Sequence, residues 1–375
     1  MQSLYATERH KEAYHEIARN NIASRFSVDP NSMEEQNKEE LQLQKKEALQ
    51  AFDLIFDNKE IKLSDYPEAT QTALTDEQLT FQNEVSAKED AALRELIEES
   101  DRLAASYVKV LFLLVEWRDL IIAEWNKAIG SGKDLGGGFR NLDKNPFINA
   151  LEENAELIAV RKKNKLNWDT ETLQDWFRKI VRKDEEYINY SSKPEPTLED
   201  HLFIINYLFK KIFFKNEIIE GYMEANDLGW TENHGILKSM VVKTIKTFNP
   251  DDSSVQVIRL SPNWDEDKEF FIKLYKETVK NSDQLEEIIA SRSKNWDVER
   301  IAATDLVILK MATAEMMHFP SIPVKVTINE YIEICKLYST PKSKQYVNGI
   351  LDVLSTELTK EGLIKKSGRG LLDNK

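Results

Sequence analysis

The chain has 375 residues, enough for one large or two ordinary domains, and 41% of them are hydrophobic, which supports a packed core. It carries 51 Lys and Arg against 65 Asp and Glu, a net charge of −14. That balance excludes the basic footprint of a generic nucleic-acid binder and leaves only a local basic surface on an acidic body.

A single cysteine, Cys335, rules out a disulfide framework and a cysteine-rich zinc site, and fits a reducing cytoplasm. The polar opening MQSLYATERHKEAYHE does not read as a secretory signal. No apolar run approaches the roughly 18 residues of a membrane-spanning helix, so a cytoplasmic protein without membrane association is expected.

In chain order, residues 1–26 predict an amphipathic helix with Leu4, Tyr5, Ala13, Tyr14 and Ile17 on its inner side. Asp29-Pro30-Asn31-Ser32 predicts a turn, and Ser32–Asp57 a second helix. Residues 58–80, around Pro67, read as a loop with short helical pieces. From Val85 to Ile129 a stripe of Leu93, Leu96, Tyr107, Leu111, Leu114, Trp117 and Ile121 predicts one long helix or two broken near Ser100. The glycine-rich stretch Gly130–Gly138 is a linker and not a phosphate loop: no strand precedes it and no Ser or Thr follows Lys133.

Further helical pieces span 146–190, with Trp168, Trp176 and Phe177 as core and Arg161, Lys162, Lys163 and Lys165 as a solvated basic face. Pro194 and Pro196 break the chain. Leu198 to Ala225 predicts one strongly apolar helix, Glu232–Phe248 another, then a loop to Pro262. Trp264–Val279 and Ser282–Arg292 follow as helices, the latter with Asp283 and Glu286 as a capping pair. No period-two stretch is long enough for a sheet, so the fold class is all-α.

Three helices follow. The first spans Trp296–Met317 behind Asn295 as N-cap and is apolar nearly all round, hence buried. Asp305, Lys310 and Glu315 interrupt it and must look out through gaps or pair. Pro320 and Pro323 end it, and Pro323 opens the second helix. That helix carries the stripe Val324, Ile328, Tyr331, Cys335 and Tyr338. Thr340-Pro341 starts the third, which buries Val347, Ile350, Leu351, Leu354 and Leu358.

The third helix opens with Lys342, Lys344, Gln345 and Tyr346. Basic groups, an aromatic face and free amides suit phosphates and unstacked bases. A solvated first turn with a half-buried Tyr is the other reading. The five histidines, His10, His15, His201, His234 and His318, show no metal spacing, and no nucleophile motif occurs. No enzyme, metal or cofactor is expected. The tail beyond Leu358, with Lys360, Lys365, Lys366 and Arg369, predicts a mobile basic end.

The run IPVKVTINEYIEICKLYSTPKSKQYVNGILDVL resembles the C-terminal signature of the NusB family of bacterial transcription antitermination proteins. The matching residues are Pro323, Lys325-Val326, Ile328-Asn329-Glu330, Glu333, Lys336, Ser343, Tyr346 and Val347 to Asp352. Thr340–Ser343 and Gly368-Arg369-Gly370 are similar to the enlarged form found in Bacteroidetes. The match runs from about Trp264 to Leu358. It implies a NusB-like helical bundle with an enlarged helical N-terminal region: 1–255 with large insertions, 256–360 as the core and 361–375 as a basic flexible tail.

The resemblance further implies binding of the boxA element of ribosomal RNA transcripts. The small-subunit ribosomal protein that acts as NusE would share the RNA, within the RNA polymerase antitermination complex. On this reading Gln2, Tyr5, Lys325, Lys342, Lys344 and Tyr346 face RNA, while Asp305 and Glu315 lie on a helix facing the protein partner. Asn329, Asn348 and Gly349 are structural, the last permitting close helix packing. The family often has an acid where Lys342 stands. Met1-Gln2-Ser3-Leu4-Tyr5-Ala6 is similar to the middle of the family's first helix; in the family an arginine-rich run lies just upstream, and the sequence begins after it, through either a late start or loss of that arm. Two alternatives stay open: a helical scaffold without RNA binding, and the NusB-like domain of a ribosomal-RNA cytosine methyltransferase system.

Overall fold

The computed structural model describes residues 1–28, 37–132, 140–292 and 301–374. The expected turn at Asp29–Ser32, most of the glycine-rich linker, and Trp296 with its cap Asn295 lie outside the described residues. Among the described residues the chain is helical, with 15 α-helices and no strand, as the patterning requires. No described helix is long and apolar enough to cross a membrane.

The helices are α1 (Gln2–Arg25), α2 (Lys38–Phe56), α3 (Glu68–Gly130), α4 (Pro146–Glu153) and α5 (Ala155–Asn164). Then come α6 (Thr170–Lys179), α7 (Glu185–Ser192), α8 (Leu198–Tyr207), α9 (Glu217–Asn226) and α10 (Trp230–Lys246). The last five are α11 (Trp264–Lys280), α12 (Ser282–Arg292), α13 (Ala303–His318), α14 (Val324–Tyr338) and α15 (Ser343–Lys360). They form two compact units, Met1–Ile97 with Asp265–Lys375, and Glu98–Trp264. This division differs from the one expected at 255/256. Residues 1–97 fold with the C-terminal helices because α1 packs on them: Thr7 shares a 2.8 Å hydrogen bond with Tyr275, and Glu8 accepts from Lys310 at 3.0 Å.

In the first unit α13 is the central helix. Val307, Ile308, Leu309, Ala312, Ala314 and Met316 are all buried around its circumference. α14 covers it with Ile328, Tyr331, Ile332 and Cys335, and α15 with Val347, Ile350, Leu351, Leu354 and Leu358, the stripe expected. Each such aliphatic chain contributes about 1.5–3 kcal/mol by leaving water. A smaller cluster joins α1, α2 and α3 through Ala18, Ile22, Ala48, Ala51, Phe52, Ala73 and Leu74. Its alanines let the helices approach closely.

Several local expectations change. α1 buries Leu4, Thr7, Ala18 and Ile22, while Ile17 is 48% exposed and Ala13 is exposed. The inner stripe includes polar Thr7, which a search for apolar positions passes over. Residues 68–80 are helical, because Pro67 stands just before α3, where a missing amide costs nothing. α3 is not broken near Ser100, although the boundary between units falls at Ile97/Glu98 within it. Asp283 and Glu286 do not cap α12; Asp283 accepts from Asn58 at 2.5 Å and Glu286 holds Lys310 at 2.7 Å. Gly349 is exposed with nothing within 4 Å of the place of a Cβ, so it permits no close packing. The tail is docked on the turn after α13, with Ile364 buried.

The second unit has its own core. Residues 107–115 of α3 are buried almost all round, together with Trp117. Trp168, Trp176 and Phe177 join that core as expected. Trp168 donates its indole N–H to the Lys109 carbonyl at 2.9 Å, and Tyr107 hydrogen-bonds Thr244 at 2.5 Å. The single helix expected over Leu198–Ala225 is instead α8, a π-helical turn over Leu208–Phe213, and α9. Asn216 ends the run by capping α9, accepting from the Ile218 amide at 3.1 Å. Arg161 leaves the solvated face expected for it: it lies 4.5 Å over the Phe112 ring and donates to Glu116 at 2.9 Å.

Candidate nucleic-acid interface

α13 and α14 run antiparallel. At one end Ser339 donates to Asp305; at the other Thr327 and Tyr331 donate to Glu315 at 2.8 and 3.0 Å. α15 starts beside the Asp305 end. Lys342 and Lys344 are exposed there, on the first turn, where cations can meet phosphates. Thr340 replaces the expected N-cap-and-proline start with a short turn. Its hydroxyl accepts from the Ser343 amide at 3.3 Å and hydrogen-bonds the Ser343 hydroxyl at 2.8 Å. Helix α15 therefore begins at Ser343 rather than at Pro341, and that amide is engaged within the chain.

Tyr346 is half-buried against the core, with its hydroxyl turned inside. Burial, and then the charge of Asp305, push its phenol up to about 12. The ring is therefore a packing element with one accessible part, not a bare stacking platform.

The other expected contacts lie elsewhere. Lys325 is exposed at the start of α14, and 15 residues of helix separate that start from α15, about 22 Å at 1.5 Å per residue. α1 runs opposite to α13, because Glu8 meets Lys310 while Glu12 lines one groove with Ala303 and Leu306. Gln2 (exposed) and Tyr5 (half-buried, under the Arg9 guanidinium at 5.6 Å) thus lie towards the Glu315 end, with Lys325. The six residues form two groups, at opposite ends of the α13–α14 pair.

Asp305 and Glu315, expected on a helix facing the protein partner, do not present their carboxylates at the surface. They are 3% and 6% exposed, and both carboxylates are spent on neighbouring hydroxyls. Burial raises the Glu315 carboxyl above its ordinary range, against the Thr327 and Tyr331 hydrogen bonds that lower it. Lys310, the third polar interruption of α13, binds Glu8, Glu286 and Ser282 at 3.0, 2.7 and 3.0 Å. Burial opposes its charge, yet the two carboxylates outweigh burial and hold the ammonium above its usual range. Each of the three is hydrogen-bonded, and Lys310 is also ion-paired, as burial of polar groups demands.

Lys310 also floors an open groove of about 840 Å³ between α1, α12 and α13, with Phe56, Ala290 and Leu306 as apolar lining. Sequence reasoning missed this groove, since it assembles from segments far apart in the chain. Among the described residues no cluster of His, Cys, Asp and Glu could hold a metal ion.

Residues 240–356 match the family model described as the NusB family. The chain is 43% identical over 105 residues to the transcription antitermination protein NusB of Salinibacter ruber, covering 28% of this chain and 66% of that one. It is 37% identical over 138 residues to the NusB of Chloroherpeton thalassium, covering 37% of this chain and 62% of that one. A third NusB, from Koribacter versatilis, is 40% identical over 97 residues, 26% of this chain and 66% of its own. The chain thus spans a little under two thirds of the length of these relatives. No solved structure matches. The match to the NusB family thus lies in the C-terminal part of the chain, which carries α11 to α15.

Proposed function

We propose that this protein is an RNA-binding transcription antitermination factor of the cytoplasm that acts on ribosomal RNA transcripts. It binds boxA RNA jointly with the small-subunit ribosomal protein acting as NusE, in the RNA polymerase antitermination complex. The observation that carries the reading is the match of residues 240–356, which include Lys325, Lys342, Lys344 and Tyr346, to the NusB family model, beside 43% identity over 105 residues to a transcription antitermination protein NusB. The exposed Lys342 and Lys344 supply phosphate contacts, and the accessible part of Tyr346 meets a base. The protein works by binding alone, without catalysis or a cofactor.

The charge balance shapes how it binds. A body at −14 repels RNA in general, so affinity comes from a few local cations and from a partner that shares the strand. Fluorescence anisotropy of a labelled boxA RNA, titrated with the full chain alone and with the ribosomal protein, tests this. Weak binding alone and tighter binding with the ribosomal protein are expected. Absence of binding under both conditions would leave the chain a helical scaffold and overturn the proposal.

A further inference from the structure

The sequence predicts a loose basic tail after Leu358, and the structure shows a locked one. Ile364 is 6% exposed, in the core of its unit. The Ser367 amide donates to the Pro320 carbonyl at 2.9 Å, and Lys366 Nζ donates to the Phe319 carbonyl at 3.0 Å. At Gly370 a Cβ would stand 2.0 Å from the Pro320 oxygen. A backbone carbonyl occupies the space of any side chain there, and it cannot swing away as the end of a flexible chain would. Only glycine lets the tail lie against the turn between α13 and α14.

The lock concentrates positive charge. From Lys360 to Leu372 the tail holds Lys360, Lys365, Lys366 and Arg369 against one acid, Glu361, which Arg292 already binds at 2.6 Å. Lys365 and Arg369 are exposed. Lys273 of α11, also exposed, sets its ammonium 4.9 Å over the ring of Phe319, the residue whose carbonyl takes Lys366. Lys325 stands exposed just beyond the same turn. Of the acids on α11, Glu277 faces His318 at 3.7 Å, and the Lys366 ammonium bears on the buried Glu315, whose carboxyl its charge lowers. Three stretches distant in sequence thus make one cationic surface on an acidic protein.

We infer that this surface, Lys273, Lys325, Lys365 and Arg369 around the Phe319-Pro320 turn, binds the phosphate backbone of single-stranded RNA, with Gly370 holding the tail in place for it. It is a second contact area, at the other end of α14 from Lys342 and Lys344. The inference rests on the RNA binding proposed above. Each cation that neutralises a phosphate releases counterions, so its removal shows in the salt dependence more clearly than in affinity at one condition.

The test compares the full chain with Lys365→Gln/Arg369→Gln, with Gly370→Val, and with Lys162→Gln/Lys163→Gln, which removes equal charge from exposed positions on α5. A labelled single-stranded boxA RNA is titrated across a salt series, and trypsin cleavage within the tail reports its docking. The tail double variant should bind about tenfold more weakly near physiological salt and lose about 1.4 log units of salt slope, two contacts at about 0.7 each. The α5 variant should keep the parent slope. Gly370→Val should be cut faster in the tail and should lose slope like the double variant. If the unaltered chain binds RNA and the tail variant matches the α5 control, this inference fails while the proposed function stands. A tail freed by Gly370→Val with no change in slope would overturn it too. An unaltered chain that binds no RNA would sink the proposed function itself.

Discussion

Glu315 shows how a polar residue survives in the centre of an apolar helix. Its carboxyl is buried, accepts from Thr327 and Tyr331, and has its pKa raised by burial despite them. A raised carboxyl gives its full stability below the unfolded-state pKa of about 4.3, and that stability fades as pH rises through the higher folded value. Glu315→Gln keeps an acceptor and removes the titration. Urea midpoints should therefore fall less between mildly acidic and neutral pH in the variant than in the parent; parallel curves would show that Glu315 does not titrate in this range. Leu309, fully buried on the same helix, is the simpler case. Leu309→Ala should cost about 2–5 kcal/mol in urea unfolding, and an unmoved midpoint would mean that α13 is not the packed centre. Residue types alone announced that Asp305, Lys310 and Glu315 must pair or look out. They could not name the partners, because Ser339, Glu8 and Thr327 come from other helices.

At the scale of elements, the sequence was most legible where one apolar stripe met one strong boundary. α15 follows its stripe residue for residue. α14 keeps Ile328, Tyr331 and Cys335 of its stripe, while Val324 and Tyr338 are only half-buried and Thr327 and Ile332 are buried beside them. Pro67 and Asn216 each mark a helix start once the neighbouring helix is in view. It was least legible where burial is all round, as in Leu208–Phe213, since a run without a polar face has no phase to betray a π turn. α1 was misread for the opposite reason, a buried stripe that includes polar Thr7. The candidate interface was half legible: Lys342 and Lys344 lie on an exposed helix start as their position suggested, but the separation of Lys325, at the other end of α14, could not be read from a linear motif. The continuity of α3 carries its own test. Ser100→Pro removes an amide and adds a clash in the helix interior, so it should cost about 3 kcal/mol. Tolerance of that change would show the helix to be broken there in solution.

On the scale of the whole molecule, the N-terminal helices, Met1–Ile97, fold in one unit with most of the stretch that matches the NusB family, and Glu98–Trp264 forms a second helical unit. That second unit has a core of its own, including Trp117, Phe147, Phe209, Phe213 and Trp230 fully buried. A chain of residues 98–264 should accordingly be helical by circular dichroism and melt in one cooperative transition. A broad, probe-dependent melt would mean that this core needs the rest of the molecule. Proximity in sequence suggested instead a single N-terminal region, because no local signal tells a folding boundary inside a continuous helix from any other turn of it.

The most direct measurement of the central claim is transcription in vitro through a terminator placed downstream of a boxA sequence. Purified RNA polymerase is supplemented with the full chain and the ribosomal protein acting as NusE. Read-through should rise when both proteins are present and fall back when boxA is scrambled. Equal read-through with and without this chain, on a template where the ribosomal protein is bound, would contradict the assignment of an antitermination role.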